Sequence, residues 1–143
     1  MKSDRKKLID TFLEKTFWKD AQRVKFASDA SKRNYYRLHS TKDSDRILMD
    51  APPEFGENVA KFIKANQFLE RIGLSVPKIY NRDIRNGFLI LEDFGDNVFT
   101  DFLLKSSQDE TSFYMSATDN LITLYHAEID CEAEHYDHCE MLN

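Results

Sequence analysis

The sequence predicts an α+β fold with a five-stranded antiparallel sheet and one helix inserted between its third and fourth strands. Three observations support this prediction. Apolar side chains first repeat at helical spacing and then fall into three short alternating or apolar segments separated by turn-rich connectors. A second helical pattern follows a pair of prolines. An Asn-Gly pair then stands between two further strand-like segments, which is a strong signal for a hairpin.

The first helix is predicted at residues 5–19. Leu8, Ile9, Phe12 and Leu13 form one apolar stripe there, and lysine and glutamate residues occupy the opposite side. We therefore expect an amphipathic helix that packs its stripe against the core.

Three strands are predicted to follow as an antiparallel meander, at residues 23–27, 34–40 and 46–51. The connectors between them, SDASKR and TKDSD, are rich in turn-forming residues. Pro52 and Pro53 are expected to end the third strand, because proline has no N–H to donate to a sheet.

The inserted helix is predicted from Glu57 to Ile72. Its inward positions at helical spacing are Val59, Phe62, Ile63, Asn66, Leu69 and Ile72. Gly73 stands where a glycine commonly ends a helix in the left-handed conformation.

The last two strands are predicted at residues 76–83 and 88–93, joined at Asn86-Gly87 by a type I′ turn. Residues 89–91 are apolar on both faces of the strand, which predicts an interior position in the sheet. Beyond them we expect two helices, at 98–107 and 109–128, the second capped by Ser107 or Asp109.

Composition narrows the classes of function. The chain has 143 residues, 41% of them hydrophobic, which is enough for one folded domain with a real core. Its 20 basic and 25 acidic residues give a net charge of −5, which argues against a nucleic-acid partner. No apolar run reaches the roughly 18 residues of a membrane span. The N-terminus has no secretory signal, and the two cysteines, Cys131 and Cys139, are interpreted as reduced thiols. We therefore expect a cytoplasmic protein.

Three stretches taken together resemble the aminoglycoside phosphotransferase-like kinases: 28–38, 48–54 and 73–96. They are most similar to the bacterial branch that phosphorylates N-acetylmuramate and N-acetylglucosamine at the anomeric position during cell-wall recycling. The matching residues are Asp29, Ala30, Ser31, Arg33, Tyr35, Arg37 and Leu38, then Leu48 to Pro53, then Glu92, Asp93, Phe94 and Gly95. The resemblance implies a protein-kinase-like N-terminal lobe at 1–93, followed at 94–143 by a connector and the first helices of an incomplete C-terminal lobe.

The resemblance also implies an ATP site in that lobe. Adenine would lie against the Leu91–Gly95 connector, and the phosphates would lie near the Ser28–Arg33 turn. The implied nucleotide-binding residues are Ser28, Asp29, Ala30, Ser31, Arg33, Leu48, Leu91, Glu92, Asp93 and Phe94. Mg²⁺ and an amino-sugar acceptor are expected only in a full-length enzyme.

Two departures from the kinase pattern lie in the lobe. The first hairpin has no glycine, so backbone N–H groups, hydroxyls and Arg33 would have to form the anion nest. Asp50 falls near the place of the third-strand lysine that contacts the phosphates, so we expect no standard lysine–glutamate pair. For Arg37, the sequence leaves two alternatives, an exposed strand residue or an ion pair with Asp50, and we favour the pair.

Phosphoryl transfer also needs a proton acceptor and metal ligands. The family places these on a His-x-Asp-x-x-x-x-Asn loop and a later aspartate. Here His135-Tyr136-Asp137 has Asn143 at an offset of six instead of five, and no aspartate follows. We therefore assign no catalytic residue and expect this chain alone to be inactive.

The predicted function is the nucleotide-binding portion of an ATP-dependent amino-sugar phosphotransferase. The alternatives are a truncated, non-catalytic remnant that binds a nucleotide or a protein, and an interaction domain without a nucleotide. A lobe without its partner lobe would expose an apolar surface, so we also expect self-association.

Two other patterns are interpreted as structural. The set His126, Cys131, His135, His138 and Cys139 contains zinc-type donors, but no two spaced pairs combine, so no metal site is predicted. Tyr35 and Tyr36 beside two arginines could stack on bases, but a half-buried strand explains them better.

Overall fold

The computed structural model describes residues 2–25, 32–96 and 110–127. The chain divides into two compact units, Met1–Phe99 and Thr100–Asn143, and each is described by itself. The predicted lobe boundary at residue 93 stays a prediction.

The first unit contains two helices and five strands. In chain order they are α1 (Lys2–Glu14), β1 (Gln22–Lys25), β2 (Asn34–His39), β3 (Arg46–Asp50), α2 (Val59–Arg71), β4 (Ile79–Asp83) and β5 (Phe88–Glu92), with a 3₁₀ turn at Pro53–Phe55 after β3. The sheet order is β1-β2-β3-β5-β4, and all neighbouring strands are antiparallel. The five-stranded antiparallel sheet, the inserted helix and the interior position of the last strand are therefore confirmed.

A helix covers each face of this sheet. On the α1 face the buried cluster comprises Ile9, Phe12, Leu13, Trp18, Leu38, Leu48, Phe88 and Ile90. On the α2 face it comprises Met49, Ala51, Val59, Ile63, Leu89 and Leu91. Successive side chains of a strand point to opposite faces, so adjacent residues of β3 and β5 belong to different clusters. This explains why both central strands are apolar at almost every position.

Local hydrogen bonds set the bounds of α2, which lies within the predicted range 57–72. The side chain of Asn58 accepts from two backbone N–H groups of the first turn, at 2.9 and 3.4 Å, so the helix begins after it. At the other end Gly73 has φ 85° and donates its N–H to the carbonyl of Glu70 at 3.0 Å. The predicted glycine stop is confirmed.

Helix α1 ends five residues earlier than predicted, at Glu14 instead of residue 19. The Thr16 hydroxyl donates to a carbonyl three residues earlier at 2.8 Å and accepts from the N–H of Trp18 at 3.2 Å. A threonine side chain that bonds the backbone in this way competes with the helix. The turn brings Trp18 into the core, where it is 5% exposed, whereas Leu8 of the predicted stripe is 40% exposed.

The hairpin between β4 and β5 is confirmed, but the predicted two-residue turn is wrong. Asp83 pairs with Phe88, so four residues form the loop. The Asp83 carboxylate accepts from the backbone N–H and the side-chain amide of Asn86, at 3.0 and 2.7 Å. These bonds stabilise a loop that is wider than a two-residue turn. Aspartate side chains commonly bond nearby backbone groups in turns in this way.

Gly87 closes this loop against the end of β3. Its φ is 75°, and its carbonyl accepts from the N–H of Ala51 at 2.9 Å. A Cβ atom at this position would stand 2.0 Å from the carbonyl oxygen of Ala51. Only glycine fits here, for both conformational and steric reasons.

In the second unit the structure describes one helix, α3, from Glu110 to His126. Its larger apolar side chains are exposed: Tyr114, Met115, Leu121, Ile122 and Tyr125. The predicted helix at 98–107, both proposed caps and the tail from residue 128 lie outside the described residues. None of the described helices combines the length and the apolar character that crossing a membrane requires.

Replacing Gly87 with alanine is expected to reduce the free energy of unfolding more than the same change at Gly56. Both glycines have positive φ, 75° and 83°, so alanine should cost about 1–2 kcal/mol at either position. Only at Gly87 does the new Cβ meet backbone, which should add about 1–3 kcal/mol. Urea unfolding followed by the fluorescence of Trp18, the single tryptophan, measures both losses. Equal losses in the two variants would contradict the close approach of Gly87 to Ala51.

Candidate functional site

The register of the sheet places four side chains in one row across the α2 face, beside the end of β5. Arg37 lies opposite Ile47, Ile47 opposite Leu91, and Leu91 opposite Ile79. Leu91 is 5% exposed, and the two isoleucines are partly buried against its cluster. We call these four residues the connector row, because β5 runs from it into the connector at residues 93–96.

Two of the predicted adenine-contacting residues do not lie together. Leu91 belongs to the connector row on the α2 face, whereas Leu48 is fully buried beneath α1 on the opposite face. Leu48 pairs with Ile90, one residue away from Leu91, and a shift of one residue changes the face. Leu48 and Leu91 therefore cannot share one surface, and Ile47 is the β3 residue beside Leu91. The nucleotide-binding role of each stays a prediction.

The connector begins with residues that hold it in a fixed turn. The Glu92 N–H donates to the carbonyl of Lys78 at 2.9 Å, and its carboxylate accepts from the Lys78 N–H at 3.1 Å. The Asp93 carboxylate accepts from the N–H of Gly95 at 2.8 Å. Phe94 is 62% exposed.

Arg37 joins the sheet to the connector through two carboxylates. Its Nε lies 2.6 Å from Oδ2 of Asp93, and its Nη2 lies 2.8 Å from Oδ1 of Asp96. The side chains of Arg37 and Asp93 are 15% and 8% exposed, so this pair is largely shielded from water. The hydrogen bond with Asp96 raises the pKa of Arg37, and the same bond lowers the pKa of Asp96.

The predicted pair between Arg37 and Asp50 is wrong, because the two residues lie on opposite faces. Arg5 instead donates to Asp50 from Nε at 2.8 Å and from Nη2 at 2.6 Å. Arg5 also donates to the carbonyl of Asn86 at 2.7 Å and lies over the ring of Phe88 at 4.3 Å. Asp50 thus ties α1 to β3 and to the last hairpin, and it faces away from the connector row.

A cavity of about 420 Å³ opens at the connector end of the sheet. We call it the connector cavity; its lining is Arg37, Ser44, Asp45, Arg46, Tyr80, Glu92, Asp93, Gly95 and Asp96. Its volume lies in the range of small-molecule sites. Arg46 is stacked on Tyr80 at 4.2 Å, and both residues belong to the α1 face of the sheet, opposite the connector row. Four carboxylates against two arginines disfavour an anion at this position.

At the other end of β2, Arg33 already has a carboxylate partner. Its Nε lies 2.6 Å from Oε2 of Glu57, just before α2. Burial acts to lower the pKa of Arg33, but hydrogen bonds with Glu57 and Tyr35 outweigh this effect and raise it. The other predicted phosphate residues, Ser28, Asp29, Ala30 and Ser31, lie outside the described residues. The sequence analysis missed Glu57, because an acidic residue before a helix is common and carries no special signal.

The metal-type residues of the tail, Cys131, His135, His138 and Cys139, also lie outside the described residues. Within 2–25, 32–96 and 110–127, the structure brings together no group of three histidine, cysteine or acidic side chains that could hold a metal ion. His126 ends α3 with its ring against that of Tyr125.

Four curated bacterial proteins named N-acetylmuramate/N-acetylglucosamine kinase are related to this chain in sequence. The protein of Pseudomonas aeruginosa is 34% identical over 117 residues, which make up 82% of this chain and 33% of that protein. The protein of Pseudomonas putida is 32% identical over 78% of this chain and 32% of its own length. The protein of Caulobacter vibrioides is 29% identical over 89% and 42%. These relationships confirm the predicted resemblance to these amino-sugar kinases.

The match covers most of this chain but only part of each relative. The chain spans between 32% and 42% of the length of the curated relatives it matches. No family model matches the chain. The sequence relationship therefore concerns one part of each kinase and not its whole length.

Replacing Arg37 with glutamine is expected to reduce the free energy of unfolding by about 1–3 kcal/mol, because it leaves the shielded Asp93 carboxylate without its cation. Urea unfolding at neutral pH measures the loss. Arg82→Gln is the matched control, since Arg82 is an exposed residue of β4, and it should change stability by no more than roughly 0.5 kcal/mol.

The pH dependence gives an independent check on the Arg37 pair. Arg37 lowers the pKa of Asp96, so the stabilisation it gives through Asp96 is complete above the ordinary carboxyl pKa. The stabilisation from the Arg37–Asp96 pair is lost as the pH falls through the lowered pKa of Asp96 in the folded protein. The stability gap between wild type and Arg37→Gln should therefore narrow in acid. A gap that stays constant or widens below about pH 4 would contradict the pairing with Asp96.

Proposed function

We propose that this chain is the nucleotide-binding part of an ATP-dependent amino-sugar phosphotransferase with a protein-kinase-like lobe. The sequence relationship to four N-acetylmuramate/N-acetylglucosamine kinases carries this proposal, since it spans 78% to 89% of the chain. ATP is the proposed phosphoryl donor and an amino sugar the proposed acceptor of the whole enzyme.

The geometry at the connector supports a site for the adenine base. Ile47 and Leu91 offer an apolar surface beside the connector turn. The backbone of that turn would supply the donors and acceptors that an adenine edge needs. The guanidinium of Arg37, fixed by two carboxylates, adds a flat group on which a base can stack. Ile47 takes the place in this proposal that the sequence analysis gave to Leu48.

The phosphates are proposed to lie near the Ser28–Arg33 turn. Arg33 has a planar fork that suits phosphate oxygens. Its pair with Glu57 keeps the guanidinium at the start of α2, where an incoming phosphate would compete with the carboxylate. This competition weakens binding. We expect a dissociation constant in the high micromolar range or above, which corresponds to about −5 to −6 kcal/mol at most.

Transfer of the phosphoryl group needs residues that this sequence does not supply. A proton acceptor and metal-binding groups must surround the transferred phosphate. The sequence contains no His-x-Asp-x-x-x-x-Asn pattern. We therefore assign binding and positioning of the nucleotide to these 143 residues and leave the transfer step to other parts of the kinase.

ATP added to the ¹⁵N-labelled chain is expected to shift the amide signals of Leu91–Gly95 and Arg33. Replacing Arg33 with alanine should weaken ATP binding by about threefold to tenfold, because a charge-assisted bond to phosphate is lost from a partly exposed site. Arg82→Ala should bind like wild type. ATP-induced shifts confined to α3, or an Arg33→Ala variant with unchanged affinity for ATP, would contradict this assignment of the nucleotide site.

A further inference from the structure

A second cavity, of about 400 Å³, lies on the α1 face at the edge of the sheet. We call it the basic cavity; its lining is Arg5, Lys6, Ile9, Arg23, Lys25, Asn34, Tyr36 and Asp50. Four of these residues are cations and one is an acid, in a chain whose formal net charge is −5. Such a concentration of positive charge runs against the overall balance of the protein.

Four elements, α1, β1, β2 and β3, contribute to the basic cavity. Helix α1 supplies Arg5 and Lys6. Strand β1 supplies Arg23 and Lys25, and Lys25 lies opposite Tyr36 of β2. These strand residues share the face of Leu48 and not that of Leu91. The sheet therefore separates the basic cavity from the connector row, and one small ligand cannot occupy both.

The two arginines of the basic cavity are held in place by other groups. Arg5 is fixed by the Asp50 carboxylate, whose side chain is 3% exposed. Its Nε and Nη2 hydrogens are used in bonds to Asp50 and to the Asn86 carbonyl, which leaves the two Nη1 hydrogens for a ligand. Arg23 pairs with Asp10 at 3.1 Å and lies 5.5 Å from the ring of Tyr36. Donors fixed in this way bind an anion at a lower entropic cost.

The two lysines carry the uncompensated charge. Within the described part of the chain neither Lys6 nor Lys25 forms an ion pair, whereas Arg5 and Arg23 each have one carboxylate. Four cations against two paired carboxylates leave two positive charges at the cavity. A bound anion with two negative charges would remove their mutual repulsion.

We infer that the basic cavity binds a phosphate-bearing small molecule, such as a phosphate monoester or a diphosphate, on the face of the sheet opposite the proposed adenine site. A guanidinium and two ammonium groups are the donors that phosphate oxygens prefer. The volume of about 400 Å³ admits a phosphorylated molecule of the size of a hexose phosphate. The half-open position at the sheet edge gives it access from water.

The test uses the full chain, ¹⁵N-labelled, titrated with inorganic phosphate, pyrophosphate and a hexose phosphate at constant ionic strength. The double variant Lys6→Gln with Lys25→Gln removes the uncompensated charge. The matched control is Lys7→Gln with Lys61→Gln, because both of those lysines are exposed and lie outside the cavity lining. Trp18 fluorescence during thermal unfolding checks that all variants are folded.

We expect saturable shifts at the amides of residues 5–9, 23–25 and 34–36. The cavity double variant should bind these phosphates about tenfold more weakly, a loss that corresponds to at least one charge-assisted contact. The control variant should bind them like wild type. Tighter binding of the hexose phosphate than of inorganic phosphate would show that the organic part is recognised too. Equal binding would show that the phosphate alone is recognised.

Equal loss of binding in both double variants would overturn the inference, because it would indicate general attraction to lysines. Phosphate shifts that appear only at Leu91–Gly95 would overturn it as well. The proposed nucleotide site is tested separately, since the cavity double variant should keep its ATP shifts at the connector. If ATP causes no shifts at the connector of the wild-type chain, that result counts against the nucleotide proposal and not against the basic cavity.

Discussion

The structure depends on the alternation of side chains along β3 and β5, the two strands at the centre of the sheet. Both faces of these strands are covered, one by α1 and the other by α2, so every residue must be assigned to one cluster or the other. Met49 and Leu91 lie beneath α2, whereas Leu48 and Ile90 lie beneath α1. This division also separates the two candidate sites, because the connector row belongs to the α2 face and the basic cavity to the α1 face.

Long-range arginine pairs tie the chain segments to this central pair of strands. Arg5 reaches Asp50 across 45 residues, Arg33 reaches Glu57 across 24, and Arg37 reaches Asp93 across 56. Each pair fixes a segment that does not itself belong to the central strands: α1, the start of α2 and the connector. Two of these pairs, those of Arg33 and Arg37, tie the start of α2 and the connector to β2 and its flanking residue.

Local signals in the sequence were sufficient to predict the order of the helices and strands in the first unit. The Gly73 stop, the apolar run at 89–91 and the Asn-Gly hairpin each depend on neighbours in the chain, and the structure contains all three features. Strand register depends on distant residues, and for that reason the sequence did not reveal that Leu48 and Leu91 lie on opposite faces. The partner of Arg37 could not be predicted for the same reason. The bonds from Asn86 to the Asp83 side chain stabilise the four-residue loop between β4 and β5. Turn propensities alone did not reveal that interaction.

The face on which the base lies is the central claim, and intermolecular NOEs test it most directly. The measurement uses the chain with ¹³C-labelled isoleucine and leucine methyl groups and an excess of ATP. We predict NOEs from the adenine H2 and H8 protons to the methyl groups of Ile47 and Leu91, and none to those of Leu48 and Ile90. NOEs to Leu48 or Ile90 without any to Ile47 and Leu91 would contradict the account.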